Sequence, residues 1–128
     1  MNLEHVAFNV ADSVAVAKWY CDHLAMKVVR RGSSAAKAHF IADARGKMML
    51  EFYHNAEVKV PDYRAIDSLA LHVAFSVEDV RATRERLMKA GAKAEGEPSA
   101  NKDGDHFAML RDPWGLAVQL VKRTAPMV

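Results

Sequence analysis

The sequence predicts an α+β domain built from two copies of a βαβββ module. Three observations predict it. The tetrapeptide His-Val-Ala-Phe occurs twice, opening at His5 and again at His72, 67 residues later. The same offset places Val10 on Val77, Asp12 on Asp79, and His39-Phe40 on His106-Phe107. Each copy also reads as the same string of elements, a strand, a helix and three further strands. Module one covers residues 1–55, a linker 56–68 and module two 69–122, within one domain of 1–128.

In the first copy, Leu3 to Val10 alternates as a strand should, with Val6, Phe8 and Val10 on one face. Asp12 and Ser13 bring N-cap chemistry. Val14 to Leu24 follows as an amphipathic helix with Val14, Ala17, Cys21 and Leu24 near helical spacing. Trp19 and Tyr20 are expected to pack that helix onto the sheet. Strands are expected over 26–31, 37–43 and 47–54. In the second copy the first strand runs from Leu69 to Val77. The helix runs from Val80 to Ala90 with Val80, Leu87 and Ala90 inward, and Gly91 stops it. Strands follow near 92–95, 105–111 and 116–122. Asp112-Pro113-Trp114-Gly115 suits a β-turn and makes this hairpin one residue longer than its counterpart, so Glu51 falls on Gln119. The polar stretch from Asn55 to Ser68, interrupted by Pro61, reads as the linker.

Composition narrows the function classes. A formal charge of +2, with basic and acidic residues interspersed, argues against a nucleic-acid or anionic-membrane surface. One cysteine, Cys21, forms no intrachain disulfide, and the N-terminus lacks a secretory pattern. No apolar run reaches membrane-spanning length. A cytoplasmic enzyme or binding protein acting on a small molecule is the expectation.

Strand alternation assigns the faces. His5, Ala7 and Asn9 lie opposite the helix-covered side of the first strand, as do His72, Ala74 and Ser76 in its equivalent. Glu51 opposes Met48, Leu50 and Phe52, and Gln119 opposes Leu116, Val118 and Leu120. Four polar residues thus share the non-helical faces with small or apolar neighbours, as in a concave ligand site. A carboxylate in apolar surroundings is costly unless paired, protonated or bound to a metal. Two imidazoles and a carboxylate are a common set of donors for a divalent transition metal.

These residues are identified with a known family. The chain resembles the vicinal oxygen chelate superfamily, which includes glyoxalase I, methylmalonyl-CoA epimerase, extradiol dioxygenases and the fosfomycin and bleomycin resistance proteins. The likeness rests on the paired HVAF strands, the Asp-Pro-Trp-Gly turn before the last strand, and polar residues at the four metal positions. It implies a glyoxalase-like fold, two modules curled into an open, incomplete β-barrel around a metal-binding groove. The implied ligands are His5, Glu51, His72 and Gln119, and the implied ion is Ni, Zn, Co, Mn or Fe. Glu51, the only carboxylate of the four, becomes the implied catalytic base. Leu50 to Asn55 is similar to the glyoxalase I strand in which an Asn four residues past the Glu helps bind glutathione. That marks Asn55 as substrate-binding, together with Tyr53 beside Glu51. Asn9, where glyoxalase I carries Arg, is likewise marked as substrate-binding, and Ser68 replaces a second such Arg, so the substrate departs from that enzyme's pattern.

The resemblance implies a metal-dependent lyase or isomerase acting on a small α-oxygenated carbonyl compound, working as a homodimer. Two alternatives stand beside it. An extradiol-type ring-cleaving dioxygenase would use a two-His, one-carboxylate triad, but its carboxylate normally sits where Gln119 is. A metal-free ligand-binding protein of the bleomycin-resistance type generally lacks the ligand residues retained here. His39 and His106 match in register and are equally compatible with strand pairing and with the rim of the groove.

Overall fold

The computed structural model describes residues 1–127. The chain divides into two compact units, Met1–Pro61 and a second beginning at Asp62. The first holds β1 (His5–Asn9), α1 (Ser13–His23), β2 (Lys27–Arg31), β3 (His39–Ala42) and β4 (Met49–Tyr53). The second repeats the order with β5 (Val73–Ser76), α2 (Val80–Lys89), β6 (Lys93–Ala100), β7 (His106–Arg111) and β8 (Ala117–Lys122). Each unit is an open four-stranded sheet, ordered β1-β4-β3-β2 and β5-β8-β7-β6. The first strand of each pairs parallel with the last, and the other neighbours run antiparallel. The α+β class and the doubled module are therefore as the sequence predicts.

The helices form where capping and apolar spacing coincide. Asp12 accepts from the Ala15 N–H and Asp79 from the Ala82 N–H, so residues matched by the repeat cap both helices. Gly91, at φ +98°, takes the left-handed conformation that ends α2. In the first unit Val16, Ala17 and Tyr20 press onto Phe8, Ile41, Leu50 and Phe52, all buried, with the Tyr20 and Phe52 ring centroids 4.9 Å apart. In the second, Leu87 meets a sheet face of Ala108, Leu110, Val118 and Leu120.

Five details depart from the expectation. The buried residues of α1 are Ser13, Val16, Ala17, Trp19 and Tyr20, with Trp19 and Tyr20 packed as expected, while Val14 is 47% exposed. Tyr20 buries more apolar area than Val14 could, and so sets the helix rotation. Val6 is 41% exposed rather than core, because β1 is an edge strand. Strand β5 is shorter than expected, since the Ala70 and Leu71 N–H groups turn back onto the Asp67 carbonyl. Strand β6 is longer, running through Pro98 with a register shift between Glu95 and Ser99. An edge position leaves no ladder partner for the missing proline N–H to disappoint. The stretch expected to be linker contains a 3-10 turn, Tyr63–Ala65, with Tyr63 buried.

Candidate functional site

The sheet faces turned away from the helices carry the polar residues. In the first unit Ala7 pairs with Glu51, Glu51 with Phe40 and Phe40 with Arg30, a row across four strands. His5 lies one step along, in register with Met49. This brings His5 Nε2 to 3.4 Å from Glu51 Oε2, with the two side chains 32% and 17% exposed. The Phe40 ring meets the His5 ring edge to face at 5.3 Å and walls one side of the pair. His5 Nδ1 is buried without a hydrogen-bond partner among the described residues; Glu4 Oε1 lies 3.6 Å away.

The spacing of His5 and Glu51 suits shared coordination. Two donors each about 2.1 Å from one ion stand roughly 3.0 Å apart in an octahedron and about 3.4 Å in a tetrahedron. Imidazole and carboxylate are also the donor types that borderline divalent metals take. The pair fits the metal that the motifs imply.

In the second unit His72 stands just ahead of β5, and Gln119 pairs with Ala74 and Met109. His72 Nδ1 lies 2.7 Å from the Ser68 carbonyl oxygen. A carbonyl only accepts, so Nδ1 is the donor, and in the neutral ring this leaves the lone pair on Nε2. A backbone carbonyl accepting from the far ring nitrogen in this way commonly fixes a ligating histidine. The Ser68 hydroxyl donates to one oxygen of Glu95, and Arg111 Nε donates to the other. Arg111 and Ser68 together hold the Glu95 carboxyl below the usual carboxylate range. Arg111 also donates to the carbonyls of Tyr63, Ile66 and Gly115. A cleft of about 340 Å³ opens beside Glu95 and Arg111, with Arg64 and Lys93 on its walls, and takes in neither His72 nor Gln119.

The expected substrate-binding residues fall in the first unit. Tyr53 is half-buried on the same face as Glu51. Asn9 and Asn55 meet: the Asn55 N–H donates to Asn9 Oδ1 at 2.8 Å. Asn9 Nδ2 donates to the carbonyls of Asn55 and Val58, so this buried amide ties down the segment leaving β4. Asn55 Oδ1 in turn accepts from the Glu57 N–H. His39 and His106 pair with Phe52 and Lys122, on the helix side of their sheets. Sequence reading missed Phe40, Arg111 and the role of Glu95. Alternation within β7 could have flagged Arg111, two residues past Met109, but the partner on β6 depends on the register shift.

Among the described residues no group of three or more His, Cys, Asp and Glu side chains is gathered to hold a metal. Each unit supplies two of the four expected positions, His5 with Glu51 and His72 with Gln119. Among the described residues no helix is long and apolar enough to cross a membrane.

Comparison with known proteins adds to this geometry. Residues 2–120 match the model of the Glyoxalase/Bleomycin resistance protein/Dioxygenase superfamily. A probable lactoylglutathione lyase from Synechocystis sp. is 26% identical, over 98% of each chain. Among solved structures, a glyoxalase family protein from Bacillus cereus aligns with a TM-score of 0.74 at 17% identity, covering 98% of this chain and 94% of that one. TnmS3, an antibiotic binding protein from Streptomyces sp. CB03234, aligns at 0.72 and 16% identity, covering 97% of each. Structural likeness at this identity carries the fold alone, since one fold hosts both catalysts and binders.

Proposed function

The chain belongs to the Glyoxalase/Bleomycin resistance protein/Dioxygenase superfamily, and from that premise we propose that it is a metal-dependent, glyoxalase I-like lyase or isomerase. Its substrate in this reading is a small carbonyl compound with oxygen on the adjacent carbon. His5, Glu51, His72 and Gln119 would hold one divalent ion, with Gln119 the weakest donor. When bound, the ion supplies Lewis-acid stabilisation to negative charge developing on two neighbouring substrate oxygens. Glu51 would remove the proton from the hydroxyl-bearing carbon and return it to the former carbonyl carbon. The hydroxyl proton passes to the former carbonyl oxygen, so the two carbons exchange oxidation level with no net gain or loss of atoms. Gln119 is an amide with no useful proton affinity, so it cannot share that task. Phe40 and Tyr53 flank Glu51 and limit water around the carboxylate. Asn9 acts at one remove, by fastening the segment that carries Asn55. The same proposal takes the protein as a cytoplasmic homodimer.

The observation that carries this reading is the contact between His5 and Glu51, walled on one side by Phe40, on the sheet face turned away from the helix. A probable lactoylglutathione lyase among the relatives supports the reaction class. Glu51→Gln tests it. Metal-loaded wild-type protein is expected to isomerise hemithioacetals of α-ketoaldehydes, and the variant to lose about 10²- to 10⁴-fold in turnover. Unchanged turnover in the variant overturns the role of Glu51.

A further inference from the structure

The two histidines of the repeat are held in different ways, and the difference assigns work to residues outside the four metal positions. His5 lies within the β1 ladder, which fixes its backbone, and among the described residues its Nδ1 has no hydrogen-bond partner. His72 lies before the β5 ladder begins, so sheet pairing does not set its orientation. Its ring is set instead by the Ser68 carbonyl, 2.7 Å from Nδ1. Ser68 is itself buried, and its hydroxyl is anchored on Glu95. Glu95 is held by Arg111 Nε, while the other Arg111 nitrogens clasp the carbonyls of Tyr63 and Ile66 on the segment leading to Ser68.

We infer that Ser68, Glu95 and Arg111 are positioning residues that fix the ring orientation and tautomer of His72. The path is continuous. Arg111 orients the Glu95 carboxylate, which holds the Ser68 hydroxyl. That contact fixes the Ser68 backbone, whose carbonyl takes the His72 Nδ1–H. The result is an imidazole with its Nε2 lone pair committed outward before any ligand arrives. Pre-set donors of this kind bind metal more tightly, because less ordering remains to be done. The first unit has no equivalent: Phe40 touches the His5 ring but accepts no hydrogen bond from its Nδ1 in the plane of the ring. The inference rests on the proposed metal-binding role of His72 for its consequence, but its geometry can be read without metal.

The test is the tautomer of His72 in metal-free protein, read from imidazole ¹⁵N shifts. In the wild type, His72 is expected to be protonated on Nδ1 alone. Ser68→Ala, which removes the hydroxyl and keeps the carbonyl, is expected to give averaged or broadened nitrogen shifts at His72 with His5 unchanged. Ser68→Thr is expected to restore the wild-type pattern, and Glu95→Gln to fall between. Co²⁺ titration of the same proteins is expected to show about 10- to 100-fold weaker binding in Ser68→Ala. An Nε2–H tautomer in the wild type overturns the inference, as does an unaltered His72 in both Ser68→Ala and Glu95→Ala. Wild-type protein with the expected tautomer but no affinity for Co²⁺ leaves the network standing and overturns the metal-dependent function instead.

Discussion

Glu51 and Gln119 occupy equivalent strand positions, yet only one can act as a base, and this is where the duplicated site loses its symmetry. That break is legible in the sequence because alternation along β4 and β8 fixes both faces. The contact of Glu51 with His5 is not, since it depends on the parallel register of β1 with β4. Glycines show the same division. Gly115 and Gly46 both have positive φ, +104° and +69°. A Cβ on Gly46 would meet nothing within 4 Å, whereas one on Gly115 would clash with Arg64, whose backbone nitrogen lies at 3.0 Å. Gly46→Ala should therefore cost about 1 kcal/mol, the conformational penalty alone. Gly115→Ala should cost more, roughly 2–4 kcal/mol, adding steric strain to the same penalty. Urea denaturation midpoints rank the two, and equal shifts would show that Arg64 yields freely.

Helices were the most readable elements, because their starts are written in short-range chemistry. Asp12→Ala and Asp79→Ala should each lower stability by about 1 kcal/mol, measured by chemical denaturation, since both remove an N-cap acceptor. Their effects should be similar if the repeat conserves structure as well as letters. Strand ends were harder to read. Pro98 resembles a breaker but sits within an edge strand, and the Glu95–Ser99 register shift hid which β6 residues share the Gln119 face across β7. The turn before β7 offers a test by pH. Asp105 accepts from the Thr124 N–H, Arg123 and Asn101, which hold its carboxyl down to about 2. An unfolded Asp titrates near 3.9, so this stabilisation is complete above about pH 5 and disappears as pH falls through roughly 4 to 2. Wild-type denaturation midpoints should drop across that window, and those of Asp105→Asn should drop less. Parallel curves would remove Asp105 from the acid response.

For the whole molecule, the doubled βαβββ plan follows from the repeat because each copy must bury the same helix face on the same sheet face. What holds His72 in place was not legible. Ser68 read as the end of a linker, yet it is buried and joins His72 to Glu95. Long-range hydrogen bonds of this kind leave no periodic trace in a sequence. If the proposed function is right, metal also acts on stability. A bound ion at 100 times its dissociation constant adds about 2.7 kcal/mol to the native state. Thermal melts should therefore rise with added Co²⁺ in the wild type and stay level in His5→Ala. The central claim is that His5, Glu51, His72 and Gln119 together hold a divalent metal. Elemental analysis of protein purified without chelator tests it most directly, comparing wild type with His5→Ala and His72→Ala. The account predicts about one divalent metal per chain in the wild type and a severe loss in each variant, as expected when a donor is removed. A metal-free wild type that also takes up none on dialysis against Ni²⁺, Co²⁺, Zn²⁺, Mn²⁺ or Fe²⁺ would contradict it.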